Sequence, residues 1–164
     1  MRQRTKYQRR TRSVTKAGSP ALKIAVVYDG FSDVIRVSEM WSRLSARRAT
    51  DVHFDGRAWN FSSLRDLLLG AQAAMHTIEA DVVVLSVNGQ AGLPVHIWNW
   101  IDAWLPWKKG RRDAFVVMVD TDAPPRNQSL CFREDLRRVA EQGEMAFFCN
   151  AGLQPTQMEA RAGC

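Results

Sequence analysis

Five short apolar runs recur along the chain: Lys23–Tyr28, Asp51–Trp59, Asp81–Val87, Ala114–Val119 and Met145–Cys149. Four are nearly unbroken, as strands buried on both faces are. In the second, His53, Asp55 and Arg57 alternate with less polar positions, the pattern of an edge strand. Between the runs the apolar residues move to helical spacing. Val34, Val37, Met40, Trp41 and Leu44 predict one helix. Leu64, Leu67, Leu68, Ala71, Met75 and Ile78 predict a second, with the Ser62-Ser63 pair as its cap. Ile97, Ile101, Trp104 and Leu105 predict a third, begun near Pro94 and ended or kinked by Pro106. Leu130, Arg133, Leu136, Val139 and Ala140 predict a fourth that closes before Gly143.

Strand and helix thus alternate through the body. Right-handed crossovers turn such a chain into a parallel sheet with helices on both faces. The expectation is a three-layer, doubly wound α/β domain of five strands in the flavodoxin-like order 2-1-3-4-5. Residues 22–153 would form it, between a basic arm (1–21) and a short tail (154–164).

Composition changes this picture in one respect. The 164 residues carry 23 Lys plus Arg against 17 Asp plus Glu, with 46% hydrophobic residues. That suits one globular domain. The excess charge is local, however. Residues 1–23 hold eight bases and no acid, so the remaining residues hold 15 bases and 17 acids. The body is slightly acidic and gives no support to nucleic-acid binding. The arm has too few apolar residues to offset its ordering entropy and is expected to be disordered. It reads as a solvated extension, as residues upstream of the true start, or as an arm that grips phosphates by releasing counterions. It lacks the apolar stretch of a secretory signal but shares the Arg-rich, acid-free composition of transit peptides. No apolar run reaches the ~18 residues of a transmembrane helix, and a cytoplasmic location is expected. Three scattered cysteines fit neither a disulfide scaffold nor a zinc site.

Ligands of doubly wound sheets sit at the carboxyl ends of the strands. A phosphate cradle wants bare amides and hydroxyls there. After the first strand, Gly30 and Ser32 lie between Asp29 and Asp33, and two carboxylates repel a phosphate. Asp29, Asp120 and Asp122 could converge on a hard cation, with Asn88 or a carbonyl completing it, or could be solvated loop residues and caps. Gly89 and Gly92 allow the third loop to bend against a flat ligand, or form a plain turn. His53, His76 and His96 share no metal or triad spacing. Cys131 and Cys149 read as structural thiols.

Trp98, Trp100, Trp104 and Trp107 crowd the third helix, directly before Lys108-Lys109-Gly110-Arg111-Arg112. Trp100, Trp104 and Trp107 share one helical stripe, while Trp98, Ile101 and Leu105 share another. Both stripes cannot face one sheet, so exposed indole is expected. Trp100, Trp104 and Trp107 are therefore candidates for an interface with a second copy or a protein partner. The alternative is a broad apolar helix that covers the sheet, its indole N–H groups reaching water.

The segment Ala80–Leu105 (ADVVVLSVNGQAGLPVHIWNWIDAWL) resembles the third strand, loop and helix of NADPH-dependent FMN reductases and related flavodoxin-like quinone reductases. Ser86, Pro94, Ile97, Asn99, Ile101 and Asp102 fall on the family's Thr, Pro, Leu, Asn, Ile and Asp. The resemblance implies FMN at the strand ends, with Asp29, Gly30, Ser32, Asn88, Gly89, Gln90 and Ala91 as its contacts, and often a dimer. Val87, Gly89 and Trp98 depart from the family's Pro, Tyr and Lys, and only Ser32 survives of its Ser-rich phosphate loop. A second resemblance is to receiver domains: Glu141–Asn150 is similar to their last strand, and Asp29 to an acidic residue after the first. Ser86 stands where their phosphorylated Asp falls, and Asn150 where their Lys falls. That resemblance implies a pseudo-receiver acting as a docking module.

Overall fold

In the computed structural model, residues 21–46, 53–88, 92–119 and 127–149 are described. The order is β1 (Ala21–Tyr28), α1 (Phe31–Ala46), β2 (His53–Asn60), α2 (Leu67–Glu79), β3 (Val82–Val87), α3 (Val95–Trp104), β4 (Ala114–Val119), α4 (Asn127–Gln142) and β5 (Ala146–Cys149). All strand pairs are parallel, and the sheet runs β2-β1-β3-β4-β5. This is the flavodoxin-like arrangement that the periodicity predicts, with β2 at the edge.

The core lies on both sides of the sheet, unequally. On one side Val27, Val83, Leu85, Val87, Phe115 and Val117 pack with side chains from α2, α3 and α4. On the other, Ile24, Val26 and Val84 pack with Val37 and Met40 of α1. Alternation along each strand divides the residues between the two sides. Among the described residues α1 is the one helix on its side, and Phe148 of β5 stays exposed.

Two elements differ from the periodic reading. A separate 3-10 turn, Phe61–Arg65, precedes α2, and Asn60 caps it through Ser62 N–H. The cap of α2 is therefore Asp66, which accepts from the amides of Leu68 and Leu69, and not the Ser62-Ser63 pair. The helix axis starts afresh at Leu67, so Leu64 no longer shares its face. Ala73, Ala74 and Thr77 form the buried side of α2. These small residues let the helix sit close. Gly70 does the same at its start, where a Cβ would lie 3.0 Å from the Leu64 carbonyl oxygen. Leu67, Leu68 and Met75 consequently point outward, 90%, 67% and 62% exposed.

The chain leaves α3 through a second 3-10 turn, Leu105–Trp107, with Pro106 inside it. Beyond it Lys108 is fully buried. Its ammonium donates to Asp113 at 2.9 Å and to the carbonyls of Ala80 and Ile78, at the end of α2. Arg111 donates to the same carboxylate at 3.2 Å. Gly110, at φ 80°, and Arg112, at φ 57°, make the turn that brings these groups together. The basic run after the tryptophans is thus, at Lys108 and Arg111, an internal lock joining α2 to the start of β4.

Candidate functional site at the strand ends

The loop between β1 and α1 is held by its own carboxylate. Gly30 begins α1, its carbonyl accepting from the amides of Asp33 and Val34. Asp33, three residues on, reaches back and accepts from Gly30 N–H at 2.9 Å. This is the return leg of a capping box, in which an acid three residues into the helix satisfies the amide at its entrance. The same carboxylate accepts from the Ser86 hydroxyl at 2.8 Å and from Arg36 at 2.9 Å. Asp33 and Ser86 are both buried. A negative charge at a helix entrance, with an amide, a hydroxyl and a guanidinium around it, is the environment such folds offer a phosphate. Here the anion comes from the chain itself.

The rest of the mouth is built around this cap. Asp29 N–H donates to the Ser86 carbonyl at 3.2 Å, and the Asn60 amide donates to the Asp29 carbonyl at 3.0 Å. These bonds tie the ends of β1, β2 and β3 together. Asp29 remains exposed and adds a second carboxylate at the surface. Asn88 is also exposed, just beyond β3. Of the residues predicted to contact a ligand, Asp29, Gly30 and Asn88 thus lie at the strand ends as expected, and Ser32 falls within the first turn of α1. Gly89, Gln90 and Ala91 lie outside the described residues, as do the cation candidates Asp120 and Asp122. Among the described residues no cluster of His, Cys, Asp or Glu could hold a metal ion.

The described part of the mouth does not fit the phosphate of FMN. A phosphate placed against the amide of Gly30 would meet the Asp33 carboxylate, which already holds that amide, the Ser86 hydroxyl and Arg36. Sequence reasoning identified the repulsion between carboxylates and a phosphate, but missed that Asp33 would fill the cradle. The signal was the spacing of Gly30 and Asp33 at a helix start.

The interface assignment of Trp100 and Trp104 needs correction. Both are buried, 4% and 0% exposed, and their rings meet edge to face at 5.5 Å. Trp104 continues onto Phe115 at 6.1 Å, so the pair is the centre of the larger core. Neither indole N–H has a partner, where the alternative reading had them reaching water. Trp107 is 65% exposed because the turn at Pro106 takes it off the helical stripe. The histidines sit at boundaries. His76 packs tilted against Trp59 with centroids 5.3 Å apart, His96 Nε2 lies 2.9 Å from the Phe61 carbonyl, and His53 is exposed.

An opening lies elsewhere, along the sheet edge. A groove of about 830 Å3 runs between β2 and α2, lined by Arg57, Trp59, Gln72, Met75, His76 and Glu79 among others. Among the described residues no helix is long and apolar enough to cross a membrane.

No family model matches the chain, and no curated protein does. Among solved structures it is similar to the Trp repressor binding protein from Bacillus subtilis, at 12% identity over 79% of this chain and 83% of that one, with a TM-score of 0.47. What the chain is rests on its own strand order: an α/β domain of the flavodoxin-like fold.

Proposed function

We propose that this chain is a non-catalytic interaction domain on a flavodoxin-like scaffold, with its anion cradle closed from within. The observation that carries this reading is the Asp33 carboxylate, held by Gly30, Ser86 and Arg36 at the entrance of α1. FMN-dependent redox chemistry, which the likeness of residues 80–105 to FMN reductases implies, would need those donors for the flavin's phosphate. When bound, FMN would supply hydride transfer, and the protein would supply position and electrostatics. Displacing a buried, triply bonded carboxylate leaves it unpaired, at a cost of about 1–3 kcal/mol or more.

The interaction role draws support from the other end of the ledger of exposure. Leu67, Leu68 and Met75 stand out from α2, which packs beside the edge strand β2, and exposed apolar surface of this kind suits contact with a partner. The pseudo-receiver alternative leads to the same role. At the end of β3 it has Ser86, whose hydroxyl is committed to Asp33, where a receiver carries its phosphorylated Asp.

A thermal-shift measurement tests the proposal. A ligand at a hundred times its dissociation constant adds about 2.7 kcal/mol of stability, which at this size is a shift of roughly 5–10 °C. The wild-type chain is expected to melt at the same temperature with and without FMN, and to purify colourless. Yellow protein, or a melting temperature that climbs with FMN, would reject the reading.

A further inference from the structure

The outer edge of β2 is open among the described residues. Among the described residues β2 has a neighbour only in β1. Six of its eight residues, His53 to Ala58, are exposed. An edge this long is a template for another strand unless something covers it. Arg57 and Trp59 line the groove with Ala71, Gln72 and Met75 of α2. By alternation, His53 and Asp55 share that face, while Phe54, Gly56 and Ala58 face the α1 side.

We propose that a second copy of this chain pairs with β2 antiparallel about Gly56, joining two five-stranded sheets into one. This rests on reading the chain as an interaction domain, and it names the partner. The charge pattern selects the register. A twofold axis through the sheet keeps both α2 helices on one face only if odd positions oppose odd positions. Two such registers overlap seven residues of the strand. Centred on Arg57, the pairing sets that guanidinium against itself. Centred on Gly56, it sets Asp55 against Arg57 of the second copy, and Arg57 against Asp55 of the second copy. His53 then opposes Trp59, and Phe54 opposes Ala58. Opposite charges directly across an antiparallel pair stabilise it, and like charges destabilise it. Lys23 lies beside Asp55 within the chain, but its ammonium is taken by Glu79 at 2.8 Å.

The same axis brings the apolar side of α2 to the seam. His76 Nε2 lies 3.4 Å from the Ile24 carbonyl, and Ile24 is the neighbour of Gly56. The exposed Met75, next in the chain to His76, lines the groove beside Arg57 and Trp59, and a second copy paired to β2 would lie along that groove. The result is an isologous interface, closed by its own symmetry, whose strand edges are both covered.

Sedimentation velocity on the full chain reads the outcome. Wild type is expected to be a dimer. Arg57→Asp turns two attractive cross-strand pairs into two repulsive ones and should weaken the dimer about tenfold to a hundredfold. Asp55→Arg with Arg57→Asp restores opposite charges and should restore the dimer. Far-UV circular dichroism confirms that each variant is folded, as expected for exposed positions. A wild-type monomer overturns the proposal, and so does a dimer indifferent to Arg57→Asp or a double variant that stays monomeric. These failures would leave the FMN measurement untouched, whereas FMN-dependent stabilisation of a normal dimer would reject the closed cradle and leave the strand pairing standing.

Discussion

Lys108→Met is expected to lower the unfolding free energy by about 3–5 kcal/mol, the cost of stranding one partner of a buried ion pair. For a domain of this size that is a fall in Tm of roughly 6–20 °C. The lower end is expected, because Arg111 still reaches the Asp113 carboxylate at 3.2 Å. The loss includes the ammonium's bonds to the Ala80 and Ile78 carbonyls, which secure α2 where it turns into β3. Replacing both partners, Lys108→Met with Asp113→Leu, should recover much of the loss, since no buried carboxylate is left unpaired. Equal destabilisation in the double variant would show that the lock matters through packing and not through charge.

The same lysine predicts a pH dependence. Burial pushes its pKa below the ordinary 10.5, an effect larger than the opposing pull of Asp113. Between that lowered value and 10.5 the unfolded chain binds more protons at this residue than the folded one. The contribution of Lys108 to stability therefore rises with pH across that window. The stability difference between wild type and Lys108→Met should grow toward pH 10.5, and a difference that shrinks would contradict the burial argument.

Trp104→Ala is expected to cost about 3–5 kcal/mol, as removal of a fully buried indole does. Trp107→Ala, on an exposed ring, should stay within about 0.5 kcal/mol of wild type. Urea unfolding of the two variants separates the core reading of α3 from the interface reading. If Trp104→Ala left stability intact and changed only association, the burial of Trp104 between Trp100 and Phe115 would be wrong.

The fold was legible because its strands are nearly continuous apolar runs, which match only a sheet covered on both faces. β2 was recognisable as an edge because His53, Asp55 and Arg57 interrupt its run. What periodicity misjudged was which side of α2 is buried. Helical spacing weights large residues, but close packing at α2 is made by Ala73, Ala74 and Thr77, and the leucines turn outward. The tryptophans misled for the opposite reason: a dense aromatic stripe reads as surplus surface until Phe115 and the sheet are set beneath it. Lys108 stands in a run of four bases directly after the tryptophans. Nothing local to it signals burial, because its partners at residues 78 and 80 come from another helix. At the strand ends the chemistry was half visible. Asp29 and Asp33 argue against a phosphate from sequence alone, but the hydroxyl of Ser86 reaches Asp33 only through the pairing of β1 with β3.

Asp33 acting as the anion of its own cradle is open to one direct measurement. Equilibrium binding of FMN and of riboflavin to the wild-type chain, measured side by side, isolates the contribution of the phosphate, since the two ligands differ in nothing else. With Asp33 filling the cradle, wild type is expected to hold FMN no more tightly than riboflavin. Wild-type protein that prefers FMN by about tenfold or more would show that the cradle takes a phosphate with Asp33 in place, and would contradict the account directly.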